Sequence, residues 1–225
     1  MVSTWIVTGA NRGLGLEFAR KLRERGDRVI ATARQPREAR ELSSLDVRVE
    51  ALDVADADSV RAFAERIEGE SVDVLLNNAG VYGLRQQLPD IDDQTMRRCF
   101  ETNALGALRV TTALLPQLRQ GRQKLIAHMT SKMGSIADNG SGGSYAYRAS
   151  KAALNAIHGS LTQDLAGEGF RCVVLHPGWV RTDMGGSSAP LSIEESVSGM
   201  IGVLDGLEAA DSGAFLDWQG ARVPW

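Results

Sequence analysis

Short, unbroken apolar runs alternate with longer amphipathic stretches along the chain. The runs at 4–8, 28–32, 47–51, 72–77, 124–130, 171–176 and 213–216 are continuous, not alternating. That pattern predicts strands buried on both faces. Between them, apolar positions recur at helical spacing. Leu16, Phe18, Ala19 and Leu22 form one stripe, closed by Gly26. A second covers 59–67, with Asp56 or Asp58 as its N-cap. The region 93–118 reads as a long helix interrupted near 103–106, and 147–165 and 193–207 complete the set. Strand and helix alternate throughout, which predicts an α/β fold: a doubly wound parallel sheet with helices on both faces. No linker, repeat or low-complexity stretch divides the chain, so residues 1–225 read as one domain. The glycine-rich piece 134–143 sits between a strand and a helix and reads as a functional loop.

Composition narrows the function classes. A chain of 225 residues can bury a core without disulfides or metal. Its 25 basic and 28 acidic side chains give a net charge of -3 with no basic block, which argues against a nucleic-acid binder. Cys99 and Cys172 are far apart and only three histidines are present, so no metal site is expected. No apolar run approaches the ~20 residues of a membrane span. The N-terminus enters a strand with no basic leader. These features predict a reduced, cytoplasmic setting without membrane contact. Glycine, at 24 of 225 residues, exceeds the usual share of about 7%. The excess marks places where backbone turns tightly or approaches something closely.

The first strand runs into Thr8-Gly9-Ala10-Asn11-Arg12-Gly13-Leu14-Gly15 and then a helix. Such a turn lets backbone approach a pyrophosphate while the helix N-terminus supplies free N–H groups. Asp53 follows the third strand, where a carboxylate can accept from an adenine amino group; taken alone it also fits a helix cap. Asn77-Asn78-Ala79-Gly80 ends the fourth strand, on the side where open α/β sheets bind ligands. An NAD site usually carries Asp or Glu near Ala33, and none is there. Arg34 and Arg12 instead suit a 2′-phosphate, whose oxygens match a guanidinium fork. The expected cofactor is NADP(H) in preference to NAD(H).

Tyr147-x3-Lys151 opens a helix and places both side chains on one face. A free phenol has a pKa of about 10, and a neighbouring ammonium favours its ionised form. Bringing it near 7 takes roughly 4 kcal/mol. Tyr145 is a decoy, with Ala149 where the lysine would stand. Ser131 ends the fifth strand, where a hydroxyl can donate to a carbonyl oxygen as charge builds on it; Thr130 and Ser135 are rivals. Asn103 sits in the break of the long helical region, placed to hold a water or to cap a helix. Pro177-Gly178-Trp179-Val180-Arg181-Thr182 ends the sixth strand sharply, within reach of a nicotinamide carboxamide. His176 reads as structural, and His128 and His158 have no evident partner.

In this order, the set Thr8-Gly-x3-Gly-x-Gly, Asp53, Asn77-Asn78-Ala79-Gly80, Asn103, Ser131, Tyr147-x3-Lys151 and Pro177-Gly178-x3-Thr182 resembles the short-chain dehydrogenase/reductase family. The resemblance spans residues 4 to about 216. Within the family, Tyr147-Arg148-Ala149-Ser150-Lys151, His176-Pro-Gly-Trp-Val and Val223-Pro224-Trp225 resemble the C-factor and sniffer-like carbonyl reductase branch. The resemblance implies a Rossmann-type seven-stranded sheet in the order 3-2-1-4-5-6-7. It implies Tyr147 as general acid/base, Lys151 on the nicotinamide ribose and lowering the tyrosine pKa, Ser131 on the substrate oxygen, and Asn103 holding the water of a proton relay. It also implies a cofactor site of Gly9, Asn11, Arg12, Gly13, Leu14, Gly15, Arg34, Asp53, Val54, Asn78, Ala79, Gly80, Lys151, Pro177, Gly178, Val180 and Thr182. One departure stands out: Ser131 lies 16 positions before Tyr147, a few more than the family pattern, with the excess in 135–144.

The activity so implied is interconversion of a carbonyl and an alcohol by hydride transfer. The substrate, a small molecule, is expected over the strand C-termini among 82–90, 136–145 and 184–191. There Tyr82, Leu84, Ile136, Tyr145, Trp179, Met184 and Leu191 offer an apolar lining. Gly185-Gly186-Ser187-Ser188 reads as a mobile lid. The rival is a non-catalytic NADP-binding signalling protein of the C-factor type. Homodimers or homotetramers through 93–118 and 147–165 fit the family. Trp225 reads either as a contact across such an interface or as a plug on its own domain.

Overall fold

A computed structural model describes residues 2–83, 86–88 and 90–225. Seven strands form one sheet: β1 (Thr4–Val7), β2 (Arg28–Ala33), β3 (Arg48–Ala51), β4 (Val74–Asn77), β5 (Leu125–Met129), β6 (Arg171–His176) and β7 (Ala214–Asp217). They lie in the order β3-β2-β1-β4-β5-β6-β7, every pair parallel, as the resemblance implies. The helices are α1 (Gly13–Glu24), α2 (Arg40–Ser43), α3 (Ala57–Arg66), α4 (Asp93–Phe100), α5 (Gly106–Ala113), α6 (Leu115–Gln120), α7 (Tyr145–Leu165) and α8 (Ile193–Asp205).

The strands read as unbroken apolar runs because both faces are covered. On β1, Trp5 and Val7 enter a core with Phe18 and Leu22 of α1 and Met200 of α8. Ile6 between them enters the opposite core with Phe63 of α3 and Val110 of α5. This is the period-2 geometry of a strand serving two layers. Asp56, not Asp58, caps α3, accepting from the amides of Asp58 (2.9 Å) and Ser59 (3.4 Å).

Two departures from expectation have local causes. Between β2 and β3 the helix shrinks to the four residues of α2, preceded by one 3₁₀ turn at Pro36–Glu38. Only Ala39 and Leu42 of this stretch are buried, too few apolar anchors for a longer amphipathic helix. The break expected near 103–106 takes the form of a π turn, Glu101–Leu105, between α4 and α5. Its far end is set by Gly106, where a β-carbon would lie 2.9 Å from Val54 Cγ2. Among the described residues, no helix is long and apolar enough to cross a membrane. Leu84 lies outside the described residues.

Of the buried histidines, His128 has one hydrogen-bonding partner, while both ring nitrogens of His158 have none among the described residues. His128 of β5 takes a 3.2 Å contact from Asn77 Nδ2 and meets His158 of α7 edge-on at 5.8 Å. Burial lowers His128 to about 3 and His158 to about 4. Both native values lie below that of the unfolded chain, so the unfolded chain binds the extra protons as pH falls below about 6.5. Stability is therefore lost on acidification. Urea titrations at pH 7 and pH 5 are expected to differ by about 2 kcal/mol for each buried histidine, with an unchanged m value. Equal stabilities would contradict neutral burial.

Candidate active site

The carboxyl ends of β1, β4, β5 and β6 carry the glycine turn, Asn77–Gly80, Ser131 and Pro177–Thr182, while Arg34 and Asp53 follow β2 and β3, Asn103 lies in the π turn and Tyr147 and Lys151 lie on α7. After β1, Gly9 (φ +64°) and Gly13 (φ +57°) adopt left-handed backbone. A β-carbon on Gly9 would lie 2.9 Å from Ala79 Cα, and one on Gly15 would lie 2.5 Å from Asn78 Nδ2. The glycines therefore permit direct contact between the β1 turn and the end of β4. Asn78 fastens that contact: its Nδ2 donates to the carbonyls of Thr8 (2.9 Å) and Gly9 (3.1 Å). The Thr8 hydroxyl accepts from the amides of Asn78 and Ala79, both at 3.0 Å. The result is a cradle with the N-terminus of α1 behind it. This chain's own residues fit a dinucleotide phosphate there.

At the rim, Asp53 Oδ1 accepts from the Ala55 amide (3.0 Å), and Val54 is buried against Gly106. Arg34 is exposed and makes no side-chain hydrogen bond or ion pair among the described residues. Arg12 differs from expectation: its Nη1 is paired with Asp183 at 2.6 Å, linking the glycine turn to the segment after β6. A pair this exposed contributes little and exchanges readily for another anion. The segment itself is tied down. Val180 bridges Leu191, Trp179 Nε1 donates to the Gly185 carbonyl (2.8 Å), and the Thr182 hydroxyl accepts from the Gly185 amide (3.1 Å). Gly178 (φ +84°) packs where a β-carbon would lie 2.8 Å from Leu191, and Pro177 is held through its carbonyl by Ser196 (2.6 Å).

Tyr147 and Lys151 lie on the buried face of α7, at 8% and 3% exposure. Lys151 Nζ donates to the Met129 carbonyl at 2.7 Å and stands 5.8 Å from the Tyr147 ring centre. Burial pulls the ammonium down to about 8. Burial also pushes the Tyr147 phenol up to about 12, against a hydrogen bond from Ser131 that lowers it; the neighbouring Tyr82 and Cys99 add to the rise. The protein alone therefore does not bring the phenol towards 7 as expected. Desolvation dominates the shift, and one of the three N–H groups of the Lys151 ammonium is spent on the Met129 carbonyl. Tyr147 holds its proton at neutral pH.

Three hydroxyls compete at the end of β5, and their hydrogen bonds separate them. Thr130 Oγ1 donates to Asn155 (2.7 Å). Ser135 Oγ donates to the Trp225 carbonyl (3.3 Å) and accepts from the Asp138 amide (3.0 Å). Ser131 Oγ accepts from the Met133 amide (3.1 Å) and reaches Tyr147. Ser131 alone of the three faces the phenol.

Asn103 is brought to the site with its carboxamide engaged. Nδ2 donates to the Val81 carbonyl (2.8 Å) and Ser150 Oγ (2.9 Å), and Oδ1 accepts from the Val81 amide (2.8 Å). Both amide hydrogens are spent, so the side chain acts as a clamp, with only an Oδ1 lone pair left for a water. Ser150 passes the clamp on to the Tyr147 carbonyl (2.8 Å). Gly80 lies between, where a β-carbon would stand 3.2 Å from Asn103 Oδ1 and 3.5 Å from Lys151 Nζ.

Two contributors, Gln86 and Asn155, escaped sequence reasoning, and Tyr82, expected only in the substrate lining, has a further place. Tyr82 packs on Tyr147 with ring centres 4.7 Å apart and bonds Ser144 through its hydroxyl (2.8 Å). Gln86, wholly buried, accepts from the Ala146 amide (3.0 Å) and so caps α7 from a distant loop. Asn155 holds the turn after β5 through the Gly134 carbonyl (3.3 Å). Only Asn155 had a legible signal, since 147, 151 and 155 continue one helical face.

A family model described as short chain dehydrogenase matches residues 3–190. The C-signal of Myxococcus xanthus is 57% identical over 166 residues, covering 74% of this chain and all of that protein. Among solved structures, the carbonyl reductase Sniffer of D. melanogaster superposes with a TM-score of 0.94 at 34% identity, over the whole of both chains. An NADPH-bound carbonyl reductase from chicken fatty liver gives 0.92 at 35% identity, covering all of this chain and 99% of that one.

The burial of Lys151 is open to a thermodynamic check. Its native pKa lies below the ordinary lysine value of 10.5, so the unfolded chain binds the extra proton between about pH 8 and 10.5. Wild-type stability should rise across that window. Relative to Lys151→Met, wild type is expected to gain on the order of 3 kcal/mol between pH 7 and 10.5 in urea titrations. Parallel pH profiles would show that the ammonium is not buried at a cost.

Proposed function

Because this chain belongs to the short-chain dehydrogenase family, we propose that it is an NADP(H)-dependent oxidoreductase interconverting a carbonyl and an alcohol. One observation carries the reading. Ser131, Tyr147 and Lys151 converge at the end of β5, beside a glycine cradle built to receive a dinucleotide. When bound, the nicotinamide supplies or accepts the hydride at the carbon of the reacting group.

The chain's residues have separate duties. Gly9, Asn11, Arg12, Gly13, Leu14 and Gly15 line the phosphate turn, with Asn78, Ala79 and Gly80 beneath it. Asp53 and Val54 flank the adenine end. Arg34 takes the 2′-phosphate, and Arg12 joins it by leaving Asp183. Pro177, Gly178, Val180 and Thr182 present backbone and hydroxyl to the carboxamide, and Lys151 reaches the ribose. NADP(H) preference is supported by these arginines and by the NADPH-bound relative.

In the direction of reduction, Ser131 and Tyr147 both donate to the substrate oxygen. A phenol near 12 is fully protonated at working pH and releases its proton only to the developing alkoxide. Ser131, beside Tyr147 at the end of β5, stabilises that charge by donating to the same oxygen. Tyr82 covers one side of Tyr147 with a tilted ring contact at 4.7 Å. The substrate is a small carbonyl compound or alcohol, entering past Ile136, Trp179 and Met184, whose apolar surfaces are exposed. A cytoplasmic setting, where thiols stay reduced, goes with this reading and with the free thiols of Cys99 and Cys172.

The 57% identity to C-signal supports a second reading, a dinucleotide-binding signalling protein without turnover. A panel of aldehydes, ketones and quinones followed by NADPH absorbance separates the two. Turnover that falls at least about 100-fold in Tyr147→Phe, with NADPH affinity unchanged, is the expected result. Tight NADPH binding without oxidation of any panel member would favour signalling. Cofactor choice has its own test. Arg34→Ala is expected to weaken NADPH by about tenfold and leave NADH affinity as it was. Equal losses for both cofactors would remove Arg34 from 2′-phosphate recognition.

A further inference from the structure

The long connection from Ser131 to Tyr147 poses a mechanical problem. Residues 135–144 are mostly small or polar, and 136–142 are exposed, Ile136 at 80%. Nothing in such a sequence orders itself. Yet Ser131 is only four residues from Ser135, and the turn between them is tight. The Gly134 amide donates to the Ser131 carbonyl (2.7 Å) and the Ser135 amide to the Lys132 carbonyl (3.0 Å). Displacement of Ser135 therefore reaches Ser131 directly.

Beyond the Lys132–Asp138 ion pair (3.3 Å), and beyond Ser144, held by the Gln86 carbonyl and the Tyr82 hydroxyl (2.8 Å each), two further ties fix the loop from outside. On its far side, Arg148 donates to Ser141 Oγ (2.8 Å) and the Gly142 carbonyl (3.3 Å), and it also reaches back to the Met133 carbonyl (3.3 Å) beside Ser131. Arg148 adjoins Tyr147, so this end moves with the helix that carries the phenol. On its near side the anchor is remote in sequence. The Trp225 carbonyl accepts from the Ala137 amide (2.9 Å) and from Ser135 Oγ (3.3 Å). The segment before Trp225 is joined to the sheet edge: Arg222 bridges Leu216 antiparallel, and the Val223 amide donates to the Phe215 carbonyl (2.8 Å). The indole lies on Phe215 (5.3 Å) and, near-parallel, on His158 of α7 (6.1 Å). Trp225 thus spans from β7 across α7 to the loop within its own chain.

We propose that Trp225 is a positioning residue, whose indole seats its carbonyl where it holds Ser135 and Ala137, and so holds Ser131 against the substrate oxygen. The proposal rests on the role assigned above to Ser131. The indole is the part that matters. Without it, Pro224 and residue 225 have no packing to keep the carbonyl in place, and the loop loses its near anchor while Arg148 keeps the far one.

Hydrogen exchange and steady-state kinetics on the full chain test this with Trp225→Ala, Trp225→Phe and Ser135→Ala. In Trp225→Ala, exchange of the Ala137 amide is expected to quicken by about tenfold, and kcat for a carbonyl substrate to fall by about fivefold. NADPH affinity is expected to stay within about twofold, because the cradle lies on other strands. Trp225→Phe keeps a ring on Phe215 and His158 and should restore both readouts to within about twofold of wild type. Ser135→Ala removes one of the two bonds to the Trp225 carbonyl and should shift both readouts in the same direction, which keeps the test open if Trp225→Ala fails to fold. Unchanged Ala137 exchange in Trp225→Ala overturns the proposal. So does faster exchange with unchanged kcat, or a loss of NADPH affinity in step with kcat. A change in oligomeric mass with unchanged exchange would make Trp225 an assembly contact instead. A wild type inert towards every carbonyl sinks the functional reading alone, and exchange then decides whether the anchor exists.

Discussion

A lysine ammonium almost withdrawn from water, with one backbone carbonyl as its partner, is the constraint around which this site is arranged. Burial of a charge is unfavourable unless the surroundings are fixed to receive it. Here they are fixed by the absence of side chains. Gly134 leaves room where a β-carbon would lie 2.8 Å from Lys151 Cβ, and Gly80 leaves room beside Asn103 Oδ1, 3.2 Å from where its β-carbon would stand. The π turn Glu101–Leu105 then brings Asn103 over Gly80, and its carboxamide locks Val81 and Ser150. Each of these features is weak alone. Together they hold the end of β4, the break between α4 and α5, and the start of α7 to one lysine.

The same logic of missing side chains governs the nucleotide end. Gly9 and Gly15 let the β1 turn touch Ala79 and Asn78, so the turn and the end of β4 form one rigid surface. Two arginines bring positive charge to that surface. Arg34 stands free at its rim and Arg12 is lent to Asp183. The cradle supplies shape and backbone donors, which any dinucleotide would use. On the function proposed above, the arginines would supply the discrimination, through exposed charge that can be redirected without disturbing the cradle.

What was legible in the sequence follows from how far each signal reaches. Strands buried on both faces announce themselves as unbroken apolar runs, and the β1 turn, the end of β4, the fifth-strand serine and the Tyr147–Lys151 pair are local in sequence. The order of the strands came with the resemblance, since a parallel ladder leaves no trace of which strand lies beside which. Interactions closing over long separations were invisible. Gln86 caps a helix 60 residues on, and Trp225 meets Ser135 across 90. No periodicity encodes either. The direction of the Tyr147 shift was also hidden, because the pairing of charges can be read from spacing whereas the depth of burial that opposes it cannot.

The two functional readings make different demands on these residues. A protein that only bound a dinucleotide would need the cradle, the arginines and a hydrogen-bonding group on the ribose, and Lys151 would serve as that group. It would have no use for a phenol buried next to the ammonium, nor for a serine that alone among three neighbouring hydroxyls faces it. A buried phenol with its proton retained is a poor binding determinant and a good acid for an oxyanion that forms beside it. The site thus contains more than binding requires, and the surplus has the geometry of proton transfer. Ser131 and Tyr147, both buried, are too deeply held to meet a partner protein directly.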